Sequence, residues 1–210
     1  SITCLERESA MVNLGKKLTE QLPIVWRQED FVNAKIEEKY DLVIASYSLN
    51  ELSDIDRRNV VNKLFDLTNK LLLIVEPGTT ISFNQLKEIR EYLIAEGGNV
   101  VAPCLNNEKC PMCKGDWCHF SSRIQRSKLH KLVKGVDVPF EDEKYSYIAI
   151  SKEPVVLPDG RRILRHPIIG KSNISLEFCC KNGIKEEKIF KNSPLYKKAK
   201  KTRVGDLIKE

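Results

Sequence analysis

Asp41-Leu-Val-Ile-Ala-Ser46 is an unbroken apolar run of strand length, and it narrows the fold more than any other feature. A strand with one wet side alternates apolar and polar residues, whereas a continuous run marks a parallel strand covered on both faces. Similar stretches recur along the chain. Ile2 to Leu5, closed by Glu6, and Pro23 to Trp26, ended by the acidic turn Gln28-Glu29-Asp30, read as short strands. Leu71 to Val75, halted by Glu76-Pro77-Gly78, reads as another buried strand, with Val100-Val101 and Tyr145 to Ser151 as further ones. Helical spacing lies between them: Met11, Leu14, Leu18 and Leu22, then Val60, Leu64, Leu67 and Leu71 behind a Ser53 cap. A third helix carries Leu86, Ile89 and Leu93 behind a capping box of Ser82 and Gln85, and Gly97-Gly98 stop it. Strands alternating with helices imply an α/β protein with a doubly wound parallel sheet, in which ligands bind beyond the carboxyl ends of the strands.

Glu6 and Asp30 stand at two such ends, and Ser46 closes the Asp41 run. In a nucleotide-binding sheet an acidic residue at the Glu6 position accepts from ribose hydroxyls, and Asp30 could receive an adenine edge. The plainer reading makes both ordinary loop carboxylates. The chain opens at Ser1, directly on a strand, so a preceding strand with a glycine-rich turn is expected upstream, either removed or encoded separately. With 210 residues there is room for one good core and a small appendage. No apolar run approaches a membrane span, which excludes a helical membrane protein.

Four cysteines, Cys104, Cys110, Cys113 and Cys118, crowd a loop rich in Asn, Lys, Gly and Pro that cannot build a core of its own. Thiolates on a metal or an iron–sulfur cluster would supply the missing order. Disulfides compete with that reading. Seven cysteines leave one over, however, and no secretory segment is visible. Cys110-Pro-Met-Cys113 is a Cys-x-x-Cys, so zinc on Cys104, Cys110, Cys113 and Cys118 is one alternative. Cys4, inside a strand, reads as core. Trp117 is placed to shield the site, and His119 to orient it from outside. The net charge of +6 is modest but clustered. Arg123, Arg126, Lys128 and Lys131 follow the cysteines, and Lys197, Lys198, Lys200, Lys201 and Arg203 crowd the end. Such runs are either solvated faces or phosphate contacts, and these nine are the candidate RNA-binding residues.

Several motifs together are specific. Tyr40-Asp-Leu-Val-Ile-Ala-Ser-Tyr-Ser-Leu-Asn-Glu-Leu52, Val75-Glu-Pro-Gly-Thr79, Val101-Ala-Pro-Cys104, Asp116-Trp-Cys-His-Phe120 and Phe140-Glu-Asp-Glu-Lys-Tyr-Ser-Tyr147 resemble the methyltransferase-like family of small-ribosomal-subunit proteins, found in mitochondria and bacterial relatives. The resemblance runs from about Leu5 to Asp206. It implies a truncated class I, Rossmann-like methyltransferase sheet lacking its first strand, acting in assembly of the small ribosomal subunit. It also implies a four-iron, four-sulfur cluster on Cys104, Cys110, Cys118 and a cysteine of the C-terminal segment, with S-adenosylmethionine as the ligand of the complete fold. In Ile174-Ser-Leu-Glu-Phe-Cys-Cys180 the alternation puts Ile174, Leu176, Phe178 and Cys180 on the apolar face, leaving Cys179 as the fourth ligand. The family agrees, with a cysteine four residues before the turn glycine. Two departures stand out: Leu105-Asn106 replaces the usual Pro-His, and Cys113 is extra.

Residues 1–152 are expected to form the truncated sheet domain, with a Cys-rich insertion at 103–135. Residues 153–210 follow as a small β-rich appendage with a basic tail, after the break at Glu153-Pro154. No Asn/Asp-Pro-Pro-aromatic motif follows the Asp41 strand, so enzymatic activity is left open. The first reading is an RNA-binding assembly factor for the small ribosomal subunit. An active ribosomal RNA methyltransferase and a zinc-binding nucleic-acid module are the alternatives. The Lys-, Ile- and Asn-rich composition suits an AT-rich genome and a bacterial cytoplasm, with the mitochondrial matrix as the other possibility.

Overall fold

The computed structural model describes residues 1–209. β1 (Ile2–Glu6) and β2 (Ile24–Gln28) pair in parallel across α1 (Ser9–Leu18). The indole of Trp26 seals that unit, donating to Thr19 Oγ1 at 3.0 Å. A Cβ at Gly15 would collide with the Trp26 ring, so glycine there allows the close approach of helix and strand.

A second, mixed sheet holds the main core. It contains β3 (Tyr40–Ser46), β4 (Thr68–Pro77), β5 (Asn99–Ala102), β6 (Phe120–Gln125) and β7 (Phe140–Ser151), in the order β3-β4-β7-β5 with β6 on β7. β3 and β4 are parallel, while β7 runs antiparallel to both β4 and β5. α2 (Asp54–Leu67) and α3 (Thr80–Ala95) pack Val60, Val61, Leu64, Leu86, Ile89 and Leu93 onto Leu72, Ile74, Ile148 and Ile150. α4 (Lys128–Lys134) caps the β6–β7 excursion. This order, with antiparallel β7 between parallel β4 and β5, is that of a Rossmann-like α/β sheet.

The double coverage expected of the Asp41 run is not met among the described residues. Right-handed crossovers place both α2 and α3 on one face, and on the other Leu42 is 50% and Ile44 56% exposed. The apolar stripe Met11, Leu14 and Leu18 of α1 is likewise exposed, and only Val12 of that helix is buried. Helix ends follow the sequence closely. Ser53 Oγ accepts from Asp56 N–H as the cap of α2. Thr79, rather than Ser82, caps α3: its Oγ1 accepts from Ser82 N–H, which sits in the first turn. Gly97, at φ +89°, ends that helix.

The remaining strands form an antiparallel sheet: β8 (Arg161–Ile163), β9 (Ile168–Ile169), β10 (Asn173–Cys180), β11 (Gly183–Phe190) and β12 (Leu207–Ile208). Ile174, Leu176, Phe178 and Cys180 face its core, as their alternation requires. The turn residues are Lys181-Asn182, and Gly183, at φ +120°, begins β11 opposite Cys180. α5 (Tyr196–Ala199) buries Ala199 against this core, and β12 pairs with β8. The basic segment is thus part of the folded unit.

Candidate metal centre

Cys104 lies two residues beyond β5, and Cys118 two residues before β6, with Cys110 in the loop between them. Cys179 comes from β10, on the face of that strand turned away from its own sheet's core. All four border one largely apolar cavity between the two sheets, together with Phe83, Met112 and Leu164. Cys180, part of the C-terminal sheet's core, also lines that cavity. Cys113 is exposed and does not line it. None of the seven cysteines forms a disulfide. Cys4 is half-buried, short of the core position expected for it.

Burial pushes the Cys104, Cys118 and Cys179 thiols up, Cys179 to about 12. The charges of neighbouring thiols add to this. Cys118 feels Cys104, Cys179 and Cys110 in this way. Arg90 and Arg162 act in the opposite sense on Cys104, and Arg165 does so on Cys118. No three His, Cys, Asp or Glu side chains among the described residues stand at the spacing that grips a single metal ion.

Polar contacts fix the surrounding frame. Trp117 Nε1 donates to Gly78 O at 3.0 Å, and its ring stacks on His119 with centroids 5.0 Å apart. Burial lowers the pKa of His119. Arg165 pairs with Asp116, Ser146 Oγ donates to Cys118 O at 2.8 Å, and Lys87 Nζ donates to Met112 O at 3.2 Å. A buried arginine, Arg90, donates from Nη2 to Asn106 O at 2.8 Å.

The family described as mitochondrial small ribosomal subunit Rsm22 matches residues 1–209. The chain belongs to the Rsm22 family. It is 26% identical over 230 residues to the human mitochondrial ribosome assembly protein METTL17, a match that takes in 98% of this chain and 49% of that protein. The chain therefore spans about half the length of this relative. Among solved structures, a putative RNA methyltransferase from Pyrococcus horikoshii gives a TM-score of 0.48 at 12% identity, over 72% of this chain and 63% of that one. The N-methyltransferase NodS from Bradyrhizobium japonicum, in complex with S-adenosyl-L-homocysteine, gives 0.45 at 10% identity, over 75% and 66%.

In this Rsm22-family chain the strand-end residues are split between two sheets. Glu6 and Asp30 stand at neighbouring parallel ends, where Glu6 Oε1 accepts from Glu8 N–H at 2.8 Å and Asp30 Oδ1 from Val32 N–H at 3.0 Å. Ser46 is exposed at the end of β3, which does not pair with β1. Nearby, buried Glu76 accepts from Leu49 N–H at 3.0 Å and Asn50 N–H at 3.3 Å, fixing the loop in which Tyr47 has φ +55°.

The nine basic candidates differ in availability. Arg123 is bidentate on Asp142 at 2.7 and 2.9 Å and lies over the Phe140 ring, and Arg126 pairs with Glu141 at 3.3 Å. Lys128 is exposed on α4, and Lys131 is half-buried there. Lys197, Lys198, Lys200, Lys201 and Arg203 are exposed on and after α5.

Sequence reasoning missed Glu76, Arg90, Arg162 and Arg165. Arg90 had a legible signal, because it falls on the same helical stripe as Leu86, Ile89 and Leu93. The others belong to strand ends and loops, where sequence pattern carries no such mark.

Proposed function

We propose that this chain acts in assembly of the small ribosomal subunit, binding ribosomal RNA, and that a four-iron, four-sulfur cluster on Cys104, Cys110, Cys118 and Cys179 fixes its two sheets together. The observation that carries the reading is the shared cavity: thiols from β10 and from the loop after β5 border one space, while Cys113 stays outside. The zinc set that includes Cys113 would need a thiol lying outside the cavity. With Zn–S bonds of about 2.3 Å, zinc also needs its thiolates packed within about 4 Å of one another. An iron–sulfur cluster would be held by the four cavity thiols and would supply metal–thiolate bonds to both sides of the cavity. The donor set fits such a group, being all thiol, dry, and flanked by Arg90, Arg162 and Arg165.

When bound, the cluster supplies cross-linking through metal–thiolate bonds, which need deprotonated sulfur. The chain's own residues do the rest. Phe83, Met112 and Leu164 exclude water, Trp117 closes one side, and the arginines offset negative charge. On this reading the cluster is structural. S-adenosylmethionine belongs to the complete fold. On this reading Glu6, Asp30 and Ser46 would line its crevice, and calorimetry with S-adenosylmethionine on parent, Glu6→Ala and Asp30→Ala tests whether they do. The mitochondrial relative favours the matrix as the setting, with the bacterial cytoplasm as the counterpart.

The test is anaerobic purification followed by iron, sulfide and zinc analysis with a visible spectrum. A brown protein with iron and acid-labile sulfide in equal amounts is expected, lost in Cys179→Ser and kept in Cys180→Ser and Cys113→Ser. A colourless protein holding zinc alone would overturn the reading.

A further inference from the structure

Arg90 is only 4% exposed, as buried as the Leu86, Ile89 and Leu93 side chains that share its stripe on α3. A guanidinium in such a place is costly unless its N–H groups find acceptors and its charge a counter-charge. Nη2 is satisfied by Asn106 O at 2.8 Å. Nε and Nη1 make no well-formed hydrogen bond, no carboxylate pairs with the group among the described residues, and the thiol within the guanidinium's reach is that of Cys104. The side chain borders the same cavity as Cys104, Cys110, Cys118 and Cys179. The other two arginines differ. Arg162 donates to Pro103 O and Gly205 O, and Arg165 to Leu164 O and Asp116.

We propose that Arg90 is the positioning residue of the thiol site, its Nε–H and Nη1–H donating to anionic sulfur of the bound cluster and its charge offsetting the cluster's own. The proposal rests on the cluster reading above. A neutral thiol is a poor acceptor, whereas a metal-bound thiolate or bridging sulfide is anionic and accepts charge-assisted hydrogen bonds. The two spare donors therefore penalise the metal-free protein and favour the loaded one. Arg90 thereby couples cluster occupancy to the fold: the same side chain weakens one state and strengthens the other.

Two substitutions test this in the full chain, loaded and metal-free. Arg90→Met removes charge and donors at similar length, and Arg90→Lys keeps the charge without the fork. In Arg90→Met the metal-free protein should melt no lower than the parent, while the loaded protein loses iron to a chelator several-fold faster. Its reduction potential should fall, because N–H donors and positive charge favour the more negative reduced cluster. Arg90→Lys should shed iron faster too, with a potential nearer the parent's.

Parent-like iron retention and potential in both variants would overturn the proposal. So would an equal loss of melting temperature in both states, since that would make Arg90 merely the bolt of the Asn106 loop. A parent chain that takes up no iron and sulfide would instead bring down the cluster reading, and the proposal with it.

Discussion

Arg162 Nε lies 2.5 Å from the carbonyl oxygen of Pro103, so β8 of the C-terminal antiparallel sheet holds the residue immediately before Cys104. Arg162 Nη1 also donates to Gly205 O at 2.7 Å, and Asn106 Nδ2 donates to Lys181 O at 3.0 Å. The Arg162–Pro103 and Asn106–Lys181 bonds tie the C-terminal sheet to the cysteine loop after β5 without any metal, while the Gly205 bond lies within the C-terminal sheet's own unit. Losing a thiol ligand should therefore loosen the junction rather than part it. Cys179→Ser is expected to keep the secondary structure of both sheets, with faster amide exchange in β10. Adding Arg162→Ala should cost about 1.5–3 kcal/mol for each hydrogen bond removed from its charge and speed exchange in β8. Unchanged exchange in the double variant would show that the arginine bridge contributes nothing.

Glu76 offers a pH test. Burial raises its pKa, while bonds from the backbone of Leu49, Asn50 and Ser48, and the charge of Arg57, pull it down only in part. A carboxyl whose folded pKa lies above its unfolded value of about 4.3 binds its proton more tightly when folded, so ionisation costs stability. Stability should decline as pH rises from that unfolded value to the folded one, and the Glu76 contribution should be level above it. Glu76→Gln should remove this part of the slope in denaturant titrations at successive pH values. Identical slopes in parent and variant would refute the assignment. Glu76→Ala strands the Leu49 and Asn50 N–H groups, at about 1–3 kcal/mol apiece.

Much of this architecture was legible in the sequence because local pattern and tertiary role coincide. β10 is the clearest case: strict alternation told Cys179 from Cys180, and their burial differs accordingly. The Asp41 run was legible as a parallel strand, but its two faces were not, since coverage depends on which side the crossovers place α2 and α3. The clustering of thiols over 104–118 was legible, whereas the arginines beside them come from α3 and from residues 162 and 165. Long-range convergence of that kind leaves no periodic trace. The basic segment after Ser193 read as a tail because charge density says nothing about Ala199 and Ile208, which bury into the core beside Leu195 and Tyr196 and anchor it.

Glu141 gathers two cations of the α4 excursion, Lys134 at 2.7 Å and Arg126 at 3.3 Å, and also meets His130 Nε2 at 3.3 Å. Hydrogen bonds from Lys134 and Arg126 hold its carboxyl below the usual range. For a depressed carboxylate the stabilisation is present above the unfolded pKa of about 4.3 and is lost as pH falls through the folded one. Acid, or Glu141→Gln at neutral pH, should therefore free α4 from β7. Trypsin cleavage after Arg126, Lys128 and Lys131 should accelerate in the variant while the core sheet stays protected. Equal cleavage rates would mean that the ion pairs do not hold the helix.

The same pairing sorts the RNA candidates. Arg123 and Arg126 already hold carboxylates, so a phosphate must compete with Asp142 and Glu141 for them. Lys197, Lys198, Lys200, Lys201 and Arg203 are exposed on a segment that α5 and β12 tie to the C-terminal antiparallel sheet. Reversing the four lysines should weaken binding to small-subunit ribosomal RNA and flatten its salt dependence, by about 0.7 to 0.9 in log–log slope for each phosphate no longer neutralised. The weakening should be similar across RNA sequences, because bonds to phosphate position the protein without specifying a base. Arg123→Ala should change the slope less than any one of these lysines. If the reversed variant binds as the parent does, with the same slope, this basic surface is only solvated; if Arg123→Ala has the larger effect, the Asp142 pair opens on RNA and the RNA lies along β6 and α4.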